Sequence, residues 1–358
     1  MDNQTSTFYV AVTATLAVII GMAFLSCSIY TRITKSESEA TPVTREMLEK
    51  CVRQDSSIIC GMVLFKETGS SKEAECILFG RDAGKSDIRQ LYDDVDEITL
   101  IPGGMMQAPA YTFFLERMGN NPDDKTPTNH GWQTDGGFDP HILDYETETG
   151  QDSISARQCF LLSSGHYIKQ IAYGNPEMQG GFIFAFGDYF GDSLAQYIPN
   201  YRYGDGRVFG QIAGGHGLML SPKQILSFYD AIANGGIRPR ERYLRPRRIC
   251  SEATAETLRQ LLIDNVLEGT GRMLRDCTVP VAGKPGFGKY DRGHLPGRRT
   301  VQGKDEYRVS SFVGFFPAKT PRYTMLVSLY GSSTVMNSQV MNLYKDIVEE
   351  MCNNELIW

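Results

Sequence analysis

From Phe8 to Tyr30 the chain reads FYVAVTATLAVIIGMAFLSCSIY, 23 residues without a charged side chain. At 1.5 Å per residue a helix of that length covers roughly 34 Å, about one hydrocarbon core, and the stretch reads as a single transmembrane anchor. Two other readings compete with it. A cleaved signal peptide normally has a basic start, which MDNQTST lacks, and a lipoprotein signal ending at Cys27 fits Phe24-Leu25-Ser26 only loosely. Arg32 and Lys35 follow the stretch and Asp2 precedes it. That bias alone would leave the rest of the chain in the cytoplasm.

The remaining length is ample for a large core. The 358 residues are 41% hydrophobic and 22% charged, which excludes a disordered, collagenous or coiled-coil chain. A net charge of -6 removes any general electrostatic drive toward nucleic acid. Seven cysteines lie beyond the anchor, an odd number without a C-x-x-C pair, which argues against a disulfide framework and a zinc site. No metal and no cofactor are expected.

Thr31 to Pro42 (TRITKSESEATP) is polar, and residues 31–54 read as a linker before a domain over 55–358. Two apolar runs, Ile58–Lys66 and Ala74–Gly80, flank a turn-rich segment and predict a β-hairpin. Met105–Met118 has helical spacing, with Pro109 placed in its first turn or at a kink. Gly119–Gln151 reads as loops with short strands.

Ser221-Pro222-Lys223-Gln224 is the clearest helix start, with a Ser cap, Pro next and Gln three after the cap. A second helix begins at Ser251. Strand-like runs follow at Val279–Gly283, Ser310–Phe316 and Tyr323–Tyr330, and an amphipathic helix through Val340, Leu343, Ile347 and Met351 closes the chain. This order predicts an α/β (α+β) domain, an antiparallel sheet covered by helices.

Six segments in order then carry a resemblance. They are Ile101-Pro102-Gly103-Gly104-Met105-Met106-Gln107, Leu162-Ser163-Ser164-Gly165, Gly214 to Gln224 with Ala233-Asn234-Gly235-Gly236, Glu268-Gly269-Thr270-Gly271, Val281 to Gly286, and Ser311 to Pro317. Together they resemble the penicillin-binding transpeptidase domain of cell-wall synthesis, a serine acyl-transferase with a β-lactamase-like fold. The resemblance runs from about residue 55 to the end.

That family's chemistry needs a serine one helical turn before a lysine, which puts the amine within reach of the hydroxyl as its base. An S-x-N serine and a K-T-G lysine complete the site. The resemblance aligns P-G-S-x-x-K with Pro102-Gly103-Gly104-Met105-Met106-Gln107, so Gly104 and Gln107 stand where nucleophile and base belong. Gly165 stands for the asparagine of the second motif and Pro285 for the threonine of the third, while Ser163, Lys284 and Gly286 match. Across the whole chain no lysine has a Ser or Thr three residues before it. The expectation is a pseudoenzyme, the transpeptidase fold without its acylation chemistry.

Ser163 and Lys284 then read either as inherited structural residues or, with Gly286, as the remnant of a site that holds a ligand carboxylate. Cys159 and His166 suggest a replacement thiol nucleophile, against the commoner outcome of a buried Cys and a helix-face His. Six arginines in 11 residues (Arg238, Arg240, Arg242, Arg245, Arg247, Arg248) read as a solvated loop face, or as a surface for an anionic partner or lipid headgroups.

The resemblance implies a single-pass protein of the cytoplasmic membrane, held by residues 8–30, with its domain in the periplasm or exterior. It implies partners in a cell-wall synthesis complex, such as a lipid-linked precursor polymerase or an active transpeptidase, and a peptidoglycan stem peptide as ligand. Scaffold or regulator is the first reading. The alternatives are a transpeptidase or carboxypeptidase rewired around Ser163 and Lys284, and a noncovalent receptor for muropeptides or β-lactams.

Overall fold

A computed structural model describes residues 38–81, 88–91, 98–133, 137–191, 206–216, 218–240, 245–290, 307–331 and 335–357. The expected anchor over 8–30 lies outside them. Among the described residues no helix is long and apolar enough to cross a membrane.

The first element corrects the expected linker over 31–54. Ala40–Gln54 is a helix, α1, whose Leu48 and Val52 are fully buried. A side chain at Gly61 would press on both, so α1 lies against the sheet at a residue small enough to admit it. Its apolar positions are sparse among charges, which is why it reads as polar linker until a sheet is there to cover them.

Strands β1 (Ile58–Glu67), β2 (Glu75–Arg81) and β3 (Ile88–Gln90) follow, the first two forming the predicted hairpin. A 3₁₀ turn over Gly103–Met106 leads into α2 (Gln107–Phe113), with Pro109 in its first turn, and a π turn over Phe114–Met118 ends it. The region expected to be loops contains β4 (Lys125–Pro127) but also a helix, α3 (Pro140–Thr149). Asp139 caps it by accepting from His141 N, and Pro140 takes the first position, a start signal that the surrounding Gly, Asp and Thr conceal.

Next come β5 (Ser153–Ser155), α4 (Ala156–Leu161), α5 (His166–Gly174), α6 (Gln179–Phe190) and α7 (Gly206–Ala213). Helix α8 (Pro222–Ala233) starts as predicted: Gln224 N donates to Ser221 Oγ, and Ser221 N donates back to Gln224 Oε1. A short hairpin, β6 (Ile237–Arg238) and β7 (Arg247–Arg248), precedes α9 (Glu252–Leu267), capped by Ser251. Strands β8 (Ala282–Tyr290), β9 (Tyr307–Phe316) and β10 (Tyr323–Gly331) and helix α10 (Asn337–Asn353) complete the order.

The sheet order is β3-β2-β1-β10-β9-β8, antiparallel throughout. Leu329 meets α1 and Phe312 stacks edge-on with Tyr344 of α10, so these helices cover one face. Thr324 on the opposite face bonds Asp230 of α8. β8 runs beyond the expected Val279–Gly283, through Pro285, because an edge strand tolerates a residue without an N–H. That edge faces the 3₁₀ turn.

Candidate active-site cleft

The turn before α2 is held against β8 by two glycines. Gly103 has φ +51°, and a side chain there would overlap the Phe287 carbonyl. Gly286 likewise faces the Pro102 carbonyl and Met105 with no room for a Cβ. Its visible role is this close approach of backbone to backbone.

Gly104 therefore lands beside the second and third motifs. A Cβ on it would lie 2.9 Å from the Pro285 carbonyl oxygen and 3.7 Å from Ser163 Oγ. Three residues on, Gln107 is 2% exposed and donates from Nε2 to Ser164 O at 3.0 Å. Its Oε1 has no hydrogen-bond partner among the described residues. A carboxamide that donates one bond to a carbonyl cannot act as a base toward a hydroxyl at position 104.

Ser163 sits on the turn that ends α4, at φ +54°, a left-handed conformation that costs a serine energy. Its Oγ touches Lys284 Nζ and lies 2.9 Å from Thr270 Oγ1. Lys284 is fully buried on β8. Its Nζ also donates to Phe160 O at 2.8 Å and Asn265 Oδ1 at 3.3 Å, and lies 4.8 Å from the centre of the Phe160 ring. Thr270 Oγ1 donates to Asn265 Oδ1 at 3.0 Å, and Asn265 Nδ2 donates to Gly283 O at 2.9 Å.

No carboxylate joins this cage among the described residues, so burial pushes the Lys284 amine well below the ordinary lysine value. Both protonation states satisfy the cage. As an ammonium, Lys284 donates to Phe160 O, Asn265 Oδ1 and Ser163 Oγ, and Ser163 donates on to Thr270. As an amine it keeps the first two bonds and its lone pair accepts the Ser163 proton.

Gly165 caps α5 with no side-chain bond, and the nearest atom to a Cβ there is Lys169 Cε at 4.0 Å. Ser164 turns the other way: its Oγ donates to Asp139 Oδ2 at 2.7 Å and accepts from His166 N at 3.0 Å. His166 Nε2 lies 2.8 Å from Pro127 O, which fixes the ring proton on Nε2 because a carbonyl only accepts. Burial holds the Cys159 thiol up at about 12. A thiol so protonated beside an imidazole committed elsewhere is not an activated nucleophile.

The structure thus brings Gly104, Gln107, Ser163, Lys284 and Pro285 together, with Gly165 beside Ser164, whose carbonyl Gln107 holds. The sequence reading missed Asn265 and gave no role to Thr270. Asn265 had a signal: it follows Leu258, Leu261 and Leu262 at helical spacing, a polar residue on a buried stripe.

This geometry agrees with comparison to known proteins. The penicillin binding protein transpeptidase domain matches residues 99–349. A protein of Caulobacter vibrioides described as "Probable peptidoglycan D,D-transpeptidase FtsI" is 34% identical over 131 residues, covering 32% of this chain and 21% of that protein. The chain therefore aligns with only about a fifth of that relative's length. The transpeptidase domain of Burkholderia pseudomallei penicillin-binding protein 3 superposes with TM-score 0.65 at 20% identity, covering 90% of this chain and 96% of the other. A peptidoglycan synthetase of Bifidobacterium adolescentis superposes with TM-score 0.68 at 15% identity, covering 89% and 61%. These structural likenesses concern the fold, and the domain match over 99–349 carries the assignment: the chain belongs to the penicillin-binding protein transpeptidase domain family.

Proposed function

We propose that the protein serves peptidoglycan synthesis by binding rather than by acyl transfer, as a membrane-anchored scaffold or regulator of a cell-wall synthesis complex. The observation that carries this is Gly104, whose missing side chain would face Ser163 and the Pro285 carbonyl, the place a nucleophile would occupy. Gln107, one turn on, donates its amide to Ser164 O. In this reading residues 8–30 cross the cytoplasmic membrane and the domain lies outside it, beside a precursor polymerase or an active transpeptidase. The cleft retains polar groups for a stem peptide without the means to cleave it.

The test is intact-mass analysis after incubation with a labelled penicillin, with no covalent adduct expected. A second reading, acyl transfer by Ser163 with Lys284 as its base, is favoured by their direct contact and by the lowered affinity of Lys284 for its proton. A stoichiometric adduct abolished by Ser163→Ala would establish that reading and end the first.

A further inference from the structure

The arginine-rich segment is not absorbed by the cleft, and the fold says what part of it is structural. Arg238 is buried and donates to Asp188 O at 3.1 Å and Tyr189 O at 3.4 Å. Arg247 pairs with Asp188 at 2.7 Å while remaining half exposed, and Arg248 donates to the carbonyls of Gly235 and Cys250. Carbonyls are neutral, so Arg248 keeps its full charge. Arg240 and Arg245 are exposed. Among the described residues of this hairpin, four exposed guanidinium groups face one carboxylate in direct contact, Asp188, with Glu116 close by on Ser251.

The hairpin's place in the fold selects the partner. Asp230, near the end of α8, accepts from Gly69 N at 3.0 Å, in the turn between β1 and β2, and Asn234 Nδ2 donates to Ile237 O at 2.8 Å where the arginine hairpin begins. Thr41, at the start of α1, bonds Glu75, which pairs with Phe65 at that same end of β1. The entry of the chain into the fold and the arginine hairpin therefore share one end of the sheet. Other exposed charges described at this end balance: Lys72, Lys319 and Arg322 against Glu39, Glu67 and Glu73. Between Tyr30 and Ala40 lie nine residues, a tether of at most about 35 Å.

We propose that the β6–β7 hairpin, through Arg240, Arg245, Arg247 and Arg248, docks this end of the domain on the anionic headgroups of the bilayer that holds residues 8–30. A tether so short limits how far the start of α1 can lie from the bilayer, and each guanidinium that reaches an anionic surface favours the docked state by about fivefold. The inference rests on the anchor in the proposed function and is independent of whether the cleft reacts.

The test is hydrogen exchange of the full chain in nanodiscs, one set zwitterionic and one with roughly a third phosphatidylglycerol. Peptides within 237–250 should exchange at least about fivefold more slowly in the anionic discs, and the difference should vanish in about 1 M salt. Arg240→Gln with Arg245→Gln, which disturbs none of the bonds above, should remove most of it. Equal exchange in both discs, equal protection in both, or protection that requires an added acidic protein would each overturn the proposal. A chain that fails to enter discs would remove the anchor and the docking with it, while leaving the penicillin result untouched.

Discussion

The two walls of the cleft differ in what their residues do for the fold. On the α2 wall, Gly104 offers a missing side chain and Gln107 makes one bond with half its carboxamide, leaving Oε1 unsatisfied. On the β8 wall, Lys284 ties the end of α4, α9 and the sheet edge together through Phe160 O, Asn265 and Ser163. The α2 wall offers no hydroxyl at position 104 and no amine at 107, whereas the β8 wall bonds buried backbone of the core. Retention of a family's active-site residues is therefore weak evidence of activity when those residues also bond buried backbone.

The strongest way to break this contrast is to remove the lysine. Lys284→Ala leaves a cavity at a fully buried position and strips Phe160 O of its donor, and should cost about 3–5 kcal/mol in denaturant unfolding. Lys284→Met fills the space and discards the desolvated amine, so its cost should be well below that of Lys284→Ala. If both variants unfold like wild type, the β8 wall is not structural and its residues were kept for a ligand.

A pH series sharpens the same point. Between its lowered folded value and the ordinary 10.5, Lys284 is protonated in the unfolded chain but not in the folded one. Unfolding then takes up a proton, so stability rises with pH across this window, by up to about 1.4 kcal/mol per pH unit, and is lost as pH falls toward the folded value. The buried tyrosines Tyr111, Tyr229 and Tyr344, held above their ordinary value by burial, act in the opposite sense at alkaline pH. The quantity to measure is therefore wild type minus Lys284→Met. A flat difference would mean the amine stays charged inside the cage.

Gln107 should matter less. Gln107→Met removes one bond to Ser164 O but also the orphaned Oε1, so about 1 kcal/mol is expected by thermal or denaturant unfolding. A loss as large as that of Lys284→Ala would show that the two walls are equally structural.

The smallest effect is expected from restoring the nucleophile alone. Gly104→Ser places its Cβ against the Pro285 carbonyl, with Gln107 no base, and should give no measurable penicillin adduct by intact mass. Adding Gln107→Lys puts nucleophile and base one turn apart again and should permit slow acylation. Gly165→Asn has room beside Lys169, and with Pro285→Thr should raise the rate further. Rapid reaction of Gly104→Ser by itself would mean that Lys284 already serves as a base in working geometry.

Some elements could be placed from the residues alone, because their signals are local. The Ser221 and Ser251 caps, the β1–β2 hairpin and the strands β9 and β10 depend on neighbours within a few residues and appear where the spacing predicts, whereas β8 overlaps its expected run only at Ala282 and Gly283. The absence of any Ser-x-x-Lys is likewise a property of the string alone. Other features depend on contacts that form only once separate elements pack together. Ala40–Gln54 became a helix because a sheet with a glycine at position 61 received Leu48 and Val52. Lys284 meets Phe160, Ser163 and Asn265 because an edge strand, a helix end and a second helix converge. The lysine's lowered proton affinity follows from that burial, and two of the three partners that enclose it, Phe160 and Ser163, lie more than a hundred positions away, a convergence no local pattern encodes.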